Sequence, residues 1–424
     1  MFIEKRKYKK RGKEMTEMTK APQPKMPKVE RITDVQQLMP MARVMVNREE
    51  VSMYDGWLIN PGQKVLFIND ATSDQLVVEA LAEAAREKGA HVTIITLEGF
   101  TGLKDSTEML DNMFSNNWYP DWVWKAANEA DLVMLTSFIK APYTPKPKFS
   151  NNPKFANVEI TADLMVSAHE TYPVELRDFI DEVTWEKLGN CPEIRWTDLE
   201  GTDIKMSLTP EEWQKTIDIN IQKGGNPYRM HGHLMLPAPS LGISGVFVTS
   251  SITFGGPVPR TSLILEKGRV VKVEGGGKFG DRLRESFEQY ADLDISAQSV
   301  KCPGPGINWL TTIAICTNPK ARRSPFFDEM SGSARVYAWT HSHRRSGVMH
   351  SSIGEGLVSP TRRIIRHLDT YFGTITTNKG VVVDKGHLTS LDDERVRQFA
   401  AKYGDPDKLL TEDWIPAVSG VNVP

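Results

Sequence analysis

Cysteine is scarce: the chain of 424 residues has three (Cys191, Cys302 and Cys316), none in a C-x-x-C pair. That excludes a disulfide framework and a thiolate metal cage, and it fits a reducing compartment. Long apolar runs are missing too. No stretch approaches the roughly 18 consecutive apolar residues that span a bilayer, and the first residues lack the apolar core of a signal peptide. A cytoplasmic location with no membrane partner is the expectation. Net charge is nearly absent, at -2, so the molecule as a whole has no electrostatic reason to prefer nucleic acid or an anionic membrane. A small-molecule substrate is expected, and a homo-oligomer as the assembly. No glycine-rich phosphate loop follows the first apolar strand, where INDATSD stands instead, and no nucleotide site is inferred.

What is present is ordinary globular composition, 40% hydrophobic and 25% charged, in a chain long enough for two domains, each with its own core. Residues 1–30 are basic and end in a Pro-rich patch, which reads as a flexible tail. From Lys64, KVLFI reads as a strand, Ser73 to Lys88 as a helix capped by Ser73 and ended by Gly89, and HVTIITL as a second strand. The helix PDWVWKAANEA and the strand DLVMLTSFI continue the alternation, which predicts an α/β domain over 31–170 with a parallel sheet. Beyond it the texture changes. ELRDFIDEVTWEKL reads as a helix, EIRWTDLEGTDIKMSL as a hairpin turning at Glu200 and Gly201, and TSLILEKGRVVKVEGGG as another near Gly268. RIIRHLDTYFGTITTNKGVVVDKGHL reads as further antiparallel strand, and DDERVRQFAAKYG as a closing helix ended by Gly404. An α+β domain over 171–424 is expected.

Seven of the nine histidines lie beyond residue 230. In His367-Leu368-Asp369, strand alternation sends the two polar side chains to one face, about 7 Å apart at Cα, so that both can converge on one ion. An imidazole with a carboxylate suits manganese, iron or zinc, and His350 in MHSSIGEG is the chosen third ligand. His341-Ser342-His343 has the same alternation and competes, although Arg344 and Arg345 raise the local positive potential. His231-Gly232-His233 stands as a further candidate, as ligands or as substrate-contacting residues.

From about Ile160 onward, and most clearly over 200–390, the chain resembles the thermophilic metallo-aminopeptidase family. LEGTDIKMSL looks like that family's hairpin before the site, MHSSIG is similar to its H-x-x-x-G segment, and RHLD matches its H-x-D segment. The resemblance implies metal roles for His350, His367 and Asp369. It also implies two glutamates that this chain lacks: Thr312 stands at one position, and near LPAPSLGISG there is no acid. Without their charge a second dication is uncompensated. One divalent ion per chain is therefore expected, manganese first, with iron or zinc as alternatives.

Members of that family that left peptide chemistry act on aromatic rings. The resemblance to them implies metal-dependent hydrolytic deamination of a nitro-substituted aromatic amine, with aminopeptidase or ring-cleaving dioxygenase activity as the alternatives. Such a reaction needs cations for nitro and carboxylate groups, for which Arg229, Arg322 and Arg323 are candidates, with Thr312 facing the substrate. It also needs a general acid; His231 or His233 has a suitable pKa range, and Glu182 is a further candidate.

Overall fold

The computed structural model describes residues 21–49, 57–98, 114–115, 119–137, 147–230, 232–295, 302–360 and 362–424. The first sheet has four parallel strands in the order His91–Leu97, Lys64–Asp70, Leu132–Leu135, Lys154–Asn157. Its central strands are buried on both faces, as the continuous apolar runs predict. Val65 and Phe67 pack with Val77, Val78 and Leu81 of the helix Gln75–Glu87. Leu66 and Ile68 instead join Leu176, Ile180 and Trp196 of the second lobe in one apolar cluster. The expectation of separate cores thus gives way to a shared one on this face, where Val123, Trp124 and Ala127 of the helix Asp121–Asn128 join the same cluster. Among the described residues no helix is long and apolar enough to cross a membrane.

The expected Ser73 cap is corrected. The residue before the helix is Asp74, and the Ser73 hydroxyl donates to Thr136 O at 2.9 Å. The flexible-tail reading also stops early. From Ala21 the segment is docked: Ala21 is buried beside Trp414, and Lys25 exchanges backbone hydrogen bonds with Ile415 of 3.0 and 2.9 Å. Residues 1–20 lie outside the described set. The helix expected to close the chain ends at Ala400, short of Gly404, and a further one follows at Pro406–Leu410.

The second sheet is antiparallel and has fourteen strands among the described residues. Its middle runs Asp203–Ser207, Ile243–Ile252, Arg362–Thr370, Met349–Ser359, Leu310–Cys316, His233–Leu236. Both expected hairpins form, Glu193–Asp198 with Asp203–Ser207, and Gly256–Glu266 with Arg269–Gly275. The second turns through Lys267 at φ 48° and Gly268 at φ 75°, left-handed conformations that a two-residue hairpin of this kind requires.

Register places the site. Partners directly opposite in an antiparallel pair share a face. One row therefore reads Ser251, Asp369, His350, Ala314, Met235, and the next reads His367, Ser352, Thr312. The alternate positions Leu368, Ile313 and Leu236 point the other way, into the apolar core. The same alternation that buries leucine and isoleucine on one side gathers imidazoles on the other.

Candidate metal centre

His350, His367 and Asp369 are brought together. His350 Nδ1 lies 2.9 Å from Asp369 Oδ1, and His350 Nε2 lies 3.0 Å from His367 Nδ1. These are opposite edges of one ring. With the ring so placed, the ligand atoms of these three do not all come within 4.8 Å of one another.

A different trio converges. The ligand atoms of His233, His343 and His350 all lie within 4.8 Å of one another. His233 is carried in by the strand His233–Leu236, opposite Cys316. His343 comes from the 3-10 turn His341–Arg344, which lies over the sheet face. The rings of His233 and His343 stack with centroids 5.1 Å apart and 8° between planes, and both lie about 5 Å from His350, at 5.1 and 4.9 Å.

The tautomers suit ligation. His343 Nδ1 donates to the Thr340 carbonyl, which can only accept. Asp369 Oδ1 takes the Thr253 hydroxyl at 2.9 Å and accepts from His350 Nδ1 as well. In both rings the proton is held on Nδ1, and an oxygen acceptor behind a metal-bound imidazole is the usual arrangement. His343 Nε2 is then a lone pair, and His350 Nε2 would exchange His367 Nδ1, 3.0 Å away, for an ion. Asp369 is fully enclosed, and burial holds its carboxyl well above the usual carboxylate range, opposed only by the Thr253 hydrogen bond. A cation against His350 would supply the missing counter-charge. The residues present fit one divalent ion.

The other candidates scatter. Arg229 is locked by Asp178 and Asp181 at 2.5 and 2.9 Å. Arg322 is buried in an ion pair with Asp163 at 2.9 Å, tying the two lobes together. Neither guanidinium is available to a substrate. Glu182 is exposed on the outer side of the helix Val174–Leu188, 3.5 Å from the Tyr228 hydroxyl, which removes it from the cluster. His231 lies outside the described residues. Thr312 shares the row of Ser352 and His367 and borders a cavity of about 450 Å³.

Arg323 is better placed. Its guanidinium lies 4.8 Å over the Trp339 ring, and its charge reaches Tyr371. Trp339 and Tyr371 line a cavity of about 380 Å³ together with Ser251, the row neighbour of Asp369. The Tyr371 hydroxyl bonds Ser251 Oγ at 3.0 Å and Ser342 Oγ at 3.2 Å, joining this cavity to the histidine turn. Sequence reading missed the convergence of His233 and His343 with His350 because it paired histidines within segments, whereas these rings come from three.

No family model and no curated protein matches this sequence. Among solved structures the chain is similar to 2,5-dihydroxypyridine dioxygenase from Pseudomonas putida, with a TM-score of 0.51 and 15% identity over 84% of this chain and 98% of that one. It is also similar to AmpT from Thermus thermophilus, with a TM-score of 0.46 and 12% identity over 83% of this chain and 99% of that one. At such identity the first likeness defines a shared fold and nothing finer.

Proposed function

We propose that this chain is a metal-dependent aminohydrolase that replaces the ring amino group of a nitro-substituted aromatic acid by hydroxyl, with 5-nitroanthranilate and water giving 5-nitrosalicylate and ammonia. The observation that carries the reading is the convergence of half-buried His233 with buried His343 and His350, a group without a carboxylate. A pair of ions needs bridging anionic charge, whereas three neutral imidazoles suit one ion with room for water. Manganese is favoured. Bound there, a divalent ion would bring the pKa of water from about 15.7 toward about 7.

His233, His343 and His350 would hold the ion, with Asp369 fixing the His350 ring from behind. His367 touches His350 Nε2 and the Ser352 hydroxyl, both at 3.0 Å, and takes the proton that water gives up. The 380 Å³ cavity supplies flat walls in Trp339 and Tyr371 and cations in Arg260, on its lining, and Arg323, stacked on Trp339. Its size falls in the range of about 300–1,000 Å³ common for ligand pockets. Arginine suits both carboxylate and nitro oxygens, and attack at the amine-bearing carbon sends charge into the para nitro group.

A ring-cleaving dioxygenase is the second reading, favoured by the fold shared with the Pseudomonas putida structure. It would require redox-active ferrous iron in the same pocket. Turnover without oxygen separates the two. Nitroanthranilate should be consumed anaerobically with one ammonia released per turnover, and oxygen from labelled water should enter the product hydroxyl. A requirement for dioxygen, or faster hydrolysis of a leucyl peptide, would replace this reading with the corresponding alternative.

A further inference from the structure

Glu200 stands at the tip of the hairpin between Glu193–Asp198 and Asp203–Ser207, and the turn is pinned from two sides. Asp198 Oδ1 accepts the backbone N–H groups of Glu200, Gly201 and Thr202 at 2.8, 2.8 and 3.0 Å. Arg260 donates from Nε and Nη2 to the Glu200 carbonyl oxygen at 3.0 and 2.7 Å. Gly201 takes φ 115°, and a Cβ there would meet Arg260 Nη2 at 2.9 Å, so only glycine lets the guanidinium close on the turn. The result is a buried carboxyl, 8% exposed, in the wall of the 380 Å³ cavity. Its Oε1 accepts from Ser250 Oγ at 2.5 Å.

Ser251 lies on the cavity lining and pairs across the strands with Asp369, the residue behind His350. The preceding residue, Ser250, holds Glu200. We propose that Glu200 is a catalytic residue, the proton donor to the departing amine nitrogen of an aromatic amino acid bound in this cavity; the proposal rests on the aminohydrolase reading. His367 and Glu200 then divide the proton traffic. His367 takes a proton from water as its oxygen bonds to the ring carbon, and the C–N bond breaks with its electron pair going to nitrogen. Nitrogen takes the Glu200 proton and leaves as ammonia. The proton on His367 returns through solvent to the Glu200 carboxylate, so that one water is consumed and no redox partner is needed.

The electrostatics agree with this role. Burial, then the Asp198 charge, pushes the Glu200 carboxyl up to about 7, against the Ser250 hydrogen bond and the Arg260 charge. Asp198 acts from its own hairpin, Arg260 from the strand Gly256–Glu266, and the Tyr371 hydroxyl lines the same cavity. A carboxylic acid with a pKa near the working pH is suited to give its proton at neutral pH.

The test uses the full-length, manganese-loaded protein and Glu200→Gln. Turnover of 5-nitroanthranilate should fall by roughly 10²–10⁴-fold, the usual contribution of a general acid, with KM and ion content unchanged. The wild-type kcat should decline as pH rises through about 7, and this limb should vanish in Glu200→Gln and persist in Glu200→Asp. A Glu200→Gln protein with wild-type kcat, or one that keeps the limb, overturns the assignment. Titration of 5-nitroanthranilate against tryptophan fluorescence separates the two levels. If wild type binds the compound through a group titrating near 7 that Glu200→Gln removes, yet does not turn it over, the aminohydrolase reading falls and the cavity assignment stands. Absence of binding overturns the cavity assignment itself.

Discussion

Two buried histidine pockets lie at the two ends of the same 3-10 turn, and they are built for different ends. His343 faces His233 and His350 on the sheet. His341 faces His169 and Glu170 from the first lobe, with His169 Nε2 3.4 Å and His341 Nδ1 3.9 Å from Glu170 Oε1. By distance alone, both groups could hold a metal ion.

Hydrogen bonding separates them. Asn318 Oδ1 accepts from the Lys320 backbone N–H at 2.8 Å, so its Nδ2 donates to His169 Nδ1, also at 2.8 Å. The His169 proton is thereby fixed on Nε2, facing Glu170, and the Arg344 guanidinium lies 3.5 Å from the same nitrogen. A cation would have to displace that proton beside a positive charge, which costs far more than exposed pairs return. His341 Nε2 donates to Glu159 O at 2.6 Å, completing a link between the lobes. In the sheet pocket the backbone carbonyl and the carboxylate hold the outer protons of His343 and His350, and the ligand atoms of the three rings lie within 4.8 Å of one another. The direction of the protons, more than the residue types, distinguishes a metal pocket from an interlobe tie.

The largest expected effect breaks the metal pocket. His350→Ala and His343→Ala should each lose the bound ion by elemental analysis and all measurable turnover, since removing one of three ligands leaves too few to hold it. Asp369→Asn should keep the ion with affinity lowered about 10–100-fold, the usual cost of losing the group behind a ligating imidazole. Complete loss of the ion in Asp369→Asn, with retention in His343→Ala, would restore the His350, His367 and Asp369 set.

A smaller effect is expected in the other pocket. His341→Ala should destabilise the chain by about 1–3 kcal/mol in urea denaturation, because buried polar partners are left unsatisfied, with the wild-type ion content retained. Loss of an ion from this variant would make the two pockets equivalent and end the distinction.

The smallest effect concerns a third histidine, half-buried His387, which calibrates the other two. A hydrogen bond to Glu412, then its charge and those to Asp392, raises its pKa to about 9. A raised histidine pKa adds stability that is fully present below about 6.5 and lost as pH rises through about 9. The Tm difference between wild type and His387→Gln should therefore be greatest below pH 6.5 and vanish above pH 9; a pH-independent difference would mean that His387 acts through packing alone.

The amino-acid sequence alone determined the elements whose signal is local. KVLFI announces a strand of a parallel sheet because its apolar run is continuous and both faces are buried, and HVTIITL, exposed or half-buried throughout at the sheet edge, is legible from its β-branched residues. Glu200-Gly201 and Lys267-Gly268 announce turns because glycine tolerates conformations that other residues avoid. His367-Leu368-Asp369 announces a polar face because strand side chains alternate. What only the tertiary structure decided was long-range. That Arg229 and Arg322 are spent on Asp181 and Asp163, that Ala21 docks beside Trp414, and that Leu66 shares a core with Trp196 depend on contacts between distant segments. So does the convergence of His233, His343 and His350, which strand order and a turn folded over the sheet bring together, and whose proton directions are set by Thr340 and Asp369.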